Sequence, residues 1–293
     1  MRKERKKCVF GQSPSFISVP PAAHAKRPSL WPGPWRRHWL CRLQTVDITR
    51  RSDRRQAHCF REDDLAIVGM PTYAGRLPNK IAPDLRACLQ GRRTPAVAVV
   101  TFGNRAYDNA LAELCALLEA RGFLPFGAAA QPCRHAFSDR LAPGRPDGQD
   151  LAALAAFSRQ LAGCLQRGDL SRAAVPGDPD APYYVPKGTD GAPAKFLKAK
   201  PKTDEARCNA CGICAAVCPT AAVNPAAVAE VPGLCIKCQA CVRRCPTGAK
   251  YFDDAAFLSH VAMLEAQEAA PKSAAFFAGA SRGSAACGES FGD

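Results

Sequence analysis

The chain contains the run Cys-x2-Cys-x2-Cys-x3-Cys-Pro twice. The first copy is Cys208, Cys211, Cys214, Cys218 and Pro219; the second is Cys235, Cys238, Cys241, Cys245 and Pro246. Each cysteine has its counterpart 27 positions on, so the segment is an internal duplication. Thiolates are soft ligands suited to iron–sulfur clusters, and a [4Fe–4S] cluster takes four. The spacing lets one short loop wrap three thiolates around a cube while the fourth reaches the other cluster. The expected sets are Cys208, Cys211, Cys214 and Cys245 for the first cluster, and Cys235, Cys238, Cys241 and Cys218 for the second. The competing readings are paired zinc sites and a disulfide knot. Zinc sites usually join two separated Cys-x2-Cys units and rarely use a third cysteine and a following proline.

These motifs resemble bacterial two-cluster ferredoxins. The remaining eight of the 16 cysteines are scattered. Cys59, Cys88, Cys115, Cys133 and Cys164 read as free thiols, which behave as small hydrophobes. That usage fits a reducing cytoplasm rather than a secreted disulfide scaffold. Met1–Lys7 is charged and no apolar stretch follows, so a secretory leader is not expected, and no run is long enough to span a bilayer. The length of 293 residues suggests one large and one small domain.

The net charge of +14 invites a nucleic-acid reading, but it is unevenly placed. Over 1–61 there are 15 Lys and Arg against Glu4, Asp47 and Asp53, and the rest is nearly balanced. A basic arm over 1–61 that binds nucleic acid is therefore the alternative of a different class; no nucleic-acid partner is expected. Residues 1–42 form an aberrant basic segment with Trp31, Trp35 and Trp39, and prolines at 20, 21, 28, 32 and 34 break any helix there.

Coherent patterning begins near 45–48, a short strand-like run. Residues 64–70 and 94–101 read as buried parallel strands, 124–130 as a third. Residues 81–89, 110–121, 150–165 and 253–269 read as helices, with Leu111, Leu114, Leu117 and Leu118 on one face of the second. Strands alternating with helices imply a parallel α/β sheet covered on both faces, with ligands beyond the strands' carboxyl ends. No Gly-rich dinucleotide motif and no Ser-His-Asp set is visible. His135 follows the third strand and reads as a loop histidine.

The phrases GMPTYAGRLPNK and TFGNRAYDNAL resemble flavodoxin-like domains, and 43–252 resembles bacterial proteins that fuse such a domain to a two-cluster ferredoxin. The resemblance implies a flavodoxin-like domain at 43–167, a linker at 168–204 and the ferredoxin domain at 205–252. Residues 253–293 would be a helix and a disordered tail. It also implies FMN, lined on one side by Pro71, Thr72, Tyr73, Ala74 and Gly75, and on the other by Phe102, Gly103, Asn104, Tyr107 and Asp108. Arg76 and Arg105 would face anionic groups or solvent, and Tyr183 and Tyr184 would pin the linker.

The family's first strand, phosphate loop and helix are missing where they belong. Regrouping back-translated codons of 16–24 by one base can spell YFSPTGGT, and of 25–37 RKTAIALARAMAA. A frameshift over roughly 1–41 is the corresponding expectation, with FMN bound weakly or not at all by the chain as written. The function implied is electron transfer through two [4Fe–4S] clusters with redox partner proteins, as a cytoplasmic carrier rather than a substrate-specific oxidoreductase. A ferredoxin-only carrier with an inert flavodoxin part is the alternative.

Overall fold

The computed structural model describes residues 45–279, together with the backbone of the strand segments Lys7–Phe10 and Arg42–Leu43. A six-stranded sheet organises the larger unit. Its strands are β1 (Lys7–Phe10), β2 (Arg42–Leu43), β3 (Leu65–Pro71), β4 (Thr94–Phe102), β5 (Phe123–Pro132) and β6 (Ala275–Ala278). Their order is β6-β5-β4-β3-β1-β2. The pairs β2/β1, β1/β3, β3/β4 and β4/β5 are parallel, and only β6 runs antiparallel, against β5.

All seven residues of β3 and all nine of β4 are buried, as expected when helices cover both faces. On one face Val68, Ala98 and Val100 pack with Leu85 of α1 (Ala82–Cys88) and with Leu111, Leu114 and Leu118 of α2 (Ala110–Ala120). On the other, Ile67, Val97 and Val99 pack with Phe157 and Leu161 of α3 (Gly148–Gln166). Helix α3 starts on a capping box: the Asp147 carboxylate accepts from the N–H of Gln149 and Asp150, and Asp150 accepts from the Asp147 N–H at 2.8 Å.

Three expectations are corrected. Lys7–Phe10 supplies a first strand, registered Cys8 to Leu65 and Phe10 to Ile67, so the sheet is not missing it. Residues 11–41, the span of the expected frameshift and of the phosphate loop, lie outside the described residues, as does the tail from 280. Residues 45–48 form no strand: they join no ladder among the described residues and instead bury Ile48 in the core. Ala275–Ala278, expected in a disordered tail, forms β6. Its small partners Ala128, Ala129 and Ala130 on β5 leave room for Phe276 and Phe277, and Phe276 lies 5.0 Å from the Phe157 ring.

The smaller unit lies between α3 and β6 in sequence. Its ends pair as an antiparallel ribbon, Lys202–Thr203 with Lys250–Tyr251. Between them are two short helices, α4 (Ile213–Ala216) and α5 (Ala240–Arg243). The following helix α6 (Ala255–Gln267) is capped by Asp254 and packs Met263 and Leu264 on Leu141 of the larger unit.

β6 thus closes the sheet after the chain has built the second unit. Phe277→Ala is expected to cost about 2 kcal/mol through lost burial and a residual cavity. Urea unfolding of the full chain measures it, and an unchanged midpoint would show that β6 does not hold the sheet.

Candidate metal centre

The duplication is repeated in backbone geometry. Positive φ recurs 27 residues apart at Ala210 (53°) and Lys237 (55°), at Gly212 (74°) and Gln239 (62°), and at Ala221 (52°) and Gly248 (63°). Four of the six carry a side chain, and each such residue costs of order 1 kcal/mol unless its surroundings over-determine it. Strain kept at matched positions in both copies belongs to a loop that must curl around something. The curl aims backbone donors at sulfur: Ala222 N–H donates to Cys218 Sγ at 3.1 Å and Ala249 N–H to Cys245 Sγ at 3.2 Å. Thr220 and Thr247 stand beside the same sulfurs at 3.7 and 3.5 Å.

The eight cysteines line two cavities. The first, of about 290 Å³, is walled by Cys208, Cys211, Cys214 and Cys245, with Ile213 and Val228. The second, of about 330 Å³, is walled by Cys218, Cys235, Cys238 and Cys241, with Ile236, Val223 and Phe252. Each run therefore gives three thiols to one cavity and its fourth to the other. Among the described residues no three or more His, Cys, Asp or Glu are placed to hold a single metal ion. Sulfurs that ring a space, rather than meet at a point, fit a polynuclear group. Gln239 gives a second sign: it is 5% exposed, lines the second cavity, and its Nε2 has no hydrogen-bond partner. A sulfur-rich group there would accept that bond.

Burial raises the thiols of Cys214 and Cys235 above the usual range, pushes Cys241 up to about 12, and raises Cys238 most. Cys245 goes the other way. Burial would raise it, but Thr247 and the N–H groups of Lys250, Ala249 and Thr247 outweigh burial and bring it to about 7. A bound cationic metal group reverses the penalty at the raised thiols, because a coordinating thiol is deprotonated.

Residues 201–224 and 229–251 match the family model described as a 4Fe-4S binding domain. This region carries two 4Fe–4S-binding motifs. A search of the curated proteins finds no match. No helix among the described residues is long and apolar enough to cross a membrane.

The 4Fe–4S-binding region is clamped to the α/β unit at three places. The Arg54 guanidinium, its side chain 1% exposed, donates to Pro219 O at 2.6 Å and Ile48 O at 3.0 Å and pairs with Asp84 at 3.1 Å. Arg243 donates to Ala136 O at 2.9 Å and His135 O at 3.3 Å and pairs with Asp139. It therefore serves the junction rather than the cysteines it neighbours in sequence. Third, the rings of His135, Phe137, Phe257 and Phe252 follow one another with each centroid 4.9 Å from the next. The chain of rings starts at Gly103, where an added Cβ would lie 2.3 Å from the His135 ring, and ends at the second cavity. Only the cysteines had a sequence signal. Arg54, Phe137, Phe252 and Phe257 had none, because no local spacing marks contacts between distant segments.

The two loops at the carboxyl ends of β3 and β4 do meet. Asn109 N–H donates to Gly75 O at 3.0 Å, Pro71 is registered opposite Thr101, and Thr72 N–H donates to Thr101 O at 2.7 Å. Several expected flavin-facing side chains are engaged with protein instead. Phe102 is in the core, and Tyr107 packs on it at 5.5 Å. Asn104, fully buried, donates to Glu268 O and Ala270 O and accepts from Lys272 N–H, which fastens the end of α6. Asp108 pairs with Arg105, whose guanidinium also lies 4.0 Å over the Tyr184 ring. Arg76 faces an anionic group of the protein itself: it pairs with Glu113 at 2.7 Å and donates to Pro179 O at 2.6 Å. The linker is pinned as expected, through Tyr183 Oη to Leu77 O and Tyr184 N–H to Ala74 O. The hydroxyls of Thr72 and Thr101 and Oε1 of Gln131 are buried without a hydrogen-bond partner.

Burial, with His260, Arg243 and Arg105 nearby, lowers the His135 imidazole from 6.5 to about 4, and burial lowers His260 as well. Between those values the unfolded chain takes the proton first. Folding stability should therefore fall as pH drops from about 6.5 toward 4, by up to about 3 kcal/mol at roughly 1.4 kcal/mol per unit. Denaturant unfolding across pH 4–7 measures this, and His135→Gln should flatten the profile. An equally steep profile in the variant would remove His135 as the cause.

Proposed function

We propose that the chain carries electrons through two [4Fe–4S] clusters, and that its α/β unit is a flavodoxin-like domain of the kind that holds FMN at the carboxyl edge of its sheet in the intact family. The observation that supports the first part is the exchange of the fourth cysteine between the two cavities. Cys208, Cys211, Cys214 and Cys245 would hold one cluster, and Cys235, Cys238, Cys241 and Cys218 the other. Each cluster, when bound, supplies one-electron chemistry at a potential set by hydrogen bonds, burial and charge. The protein's own share is to point Ala222 and Ala249 N–H at the crossing sulfurs and to exclude water with Val223, Ile236 and Phe252. Lys250, 3% exposed, brings a fixed positive charge to the first cavity.

Support for the second part is the strand order. Read from its far edge the parallel sheet runs β2-β1-β3-β4-β5. That is the flavodoxin-like order, whose ligand crevice lies at the switch point between β1 and β3. Thr72, which follows β3, carries one of the unsatisfied hydroxyls. The reading in which the α/β unit binds no flavin is favoured by the engagement of Asn104, Tyr107 and Asp108 with protein. Resequencing the gene across 1–41 decides whether a one-base shift hides the phosphate loop.

Anaerobic reconstitution should yield about eight iron and eight acid-labile sulfide per chain, with visible absorption that bleaches on reduction. Stoichiometric zinc without sulfide overturns the cluster reading. Cys218→Ala should damage the second cluster more than the first, which site-resolved electron paramagnetic resonance reports.

Flavin titration tests the rest. Three or four phosphate contacts at roughly 1.5–3 kcal/mol each are several orders of magnitude in Kd. The chain as written should quench FMN fluorescence weakly, and one carrying YFSPTGGT ahead of Leu43 should quench it strongly. Equal, tight binding by both would mean that the phosphate site lies elsewhere.

A further inference from the structure

The segment between the two units lies along the rim of the second cavity. Lys237 Nζ donates to Leu197 O, and Lys200 Nζ donates to Val231 O at 2.6 Å, which staples 197–200 to the loop 231–237. Pro201 continues into the cavity wall. On this rim Leu197 is 88% exposed and Leu234, next to Cys235, is 56% exposed; Leu197 is the most exposed large apolar residue among those described. Around them stand Lys195, Lys198 and Lys200, all exposed. Lys200 and Lys237 donate hydrogen bonds to neutral carbonyl oxygens rather than to carboxylates, and Asp254 lies near enough to Lys237 to interact with it. By contrast Lys202 is paired with Asp253 at 2.8 Å. An apolar centre inside a ring of uncompensated like charge is the anatomy of a steered, transient interface.

We propose that this rim is the docking surface for an acidic one-electron redox protein. Leu197 and Leu234 form the dry centre, and Lys195, Lys198 and Lys200 attract carboxylates around the partner's redox group. In each encounter the partner's reduced centre loses one electron and the 4Fe–4S unit gains one, with no proton or group transferred. The electron step rests on the reading that the second cavity's cysteines hold a cluster; the docking step does not.

The test uses the full chain after anaerobic reconstitution and a labelled [2Fe–2S] ferredoxin chosen for its negative net charge. Binding is read by fluorescence anisotropy, and electron transfer from the reduced ferredoxin by stopped flow. At low salt, Lys195→Glu/Lys198→Glu should weaken binding about tenfold and flatten its salt dependence. Leu197→Ser should weaken binding several-fold at every salt concentration. Arg244→Glu, half that charge change at an exposed residue beside Cys245, should leave binding unchanged. Iron and sulfide content equal to the unmodified chain shows that no variant has lost its fold. Binding insensitive to the lysine changes, or equally sensitive to Arg244→Glu, overturns the docking surface. Lysine-dependent binding without electron transfer upholds the surface and overturns the electron step, while iron and sulfide analysis alone decides the cluster reading.

Discussion

Neither cysteine run can complete a cavity by itself. Three thiols come from a local loop, and the fourth comes from the other copy, across the unit. This exchange ties α4 to α5 and sets the short ribbon that closes the unit. It also goes with the same positive-φ turns in both loops, since each presents three sulfurs to one space and aims an N–H at its fourth sulfur, which lines the other. The repeated strain at Ala210 and Lys237 is the local cost of that arrangement, and the shared cavities are what hold it.

The smaller unit is not free of the larger one. Arg54 reaches the carbonyl of Pro219, the residue after a cavity cysteine, and Arg243 reaches the loop that bears His135. A buried guanidinium that satisfies several carbonyls is hard to replace, because its removal strands those acceptors. The ring series from His135 to Phe252 links the loop after the sheet's carboxyl edge to the wall of the second cavity. Asn104 fastens the end of α6 to the β4 loop, so the carboxyl edge carries the second unit as well as any ligand. The second cavity meets the sheet's core through Ile236, and Leu197 and Leu234 on its rim are exposed to solvent.

Much of this was legible locally. The cysteine spacing named the eight thiols, and unbroken apolar runs named β3 and β4 to within a residue or two. Leucine periodicity named α2, and helices expected at 81–89, 150–165 and 253–269 form at Ala82–Cys88, Gly148–Gln166 and Ala255–Gln267. The strand-like run at 45–48 failed because a β pattern without a neighbour has no ladder to join. β1 was hidden because four residues in a basic stretch carry no period, and their place is set by Leu65 and Ile67 opposite. The contacts of Asn104 with the residues after α6 had no signal in the sequence, because they join segments far apart in the chain.

The sequence alone determined the chemistry: eight thiolates in two spaced runs, because spacing within a loop is a local property that chain geometry translates directly. It also determined an alternating α/β pattern, because burial on two faces requires continuous apolar strands. Tertiary structure decided what depends on distant partners. β6 takes its place because Ala128–Ala130, far earlier in the chain, leave room for two phenylalanines. The arginine clamps, the aromatic junction and the lysine-ringed rim arise where segments tens of residues apart are brought together by burial of shared apolar surface, and no local pattern encodes that meeting.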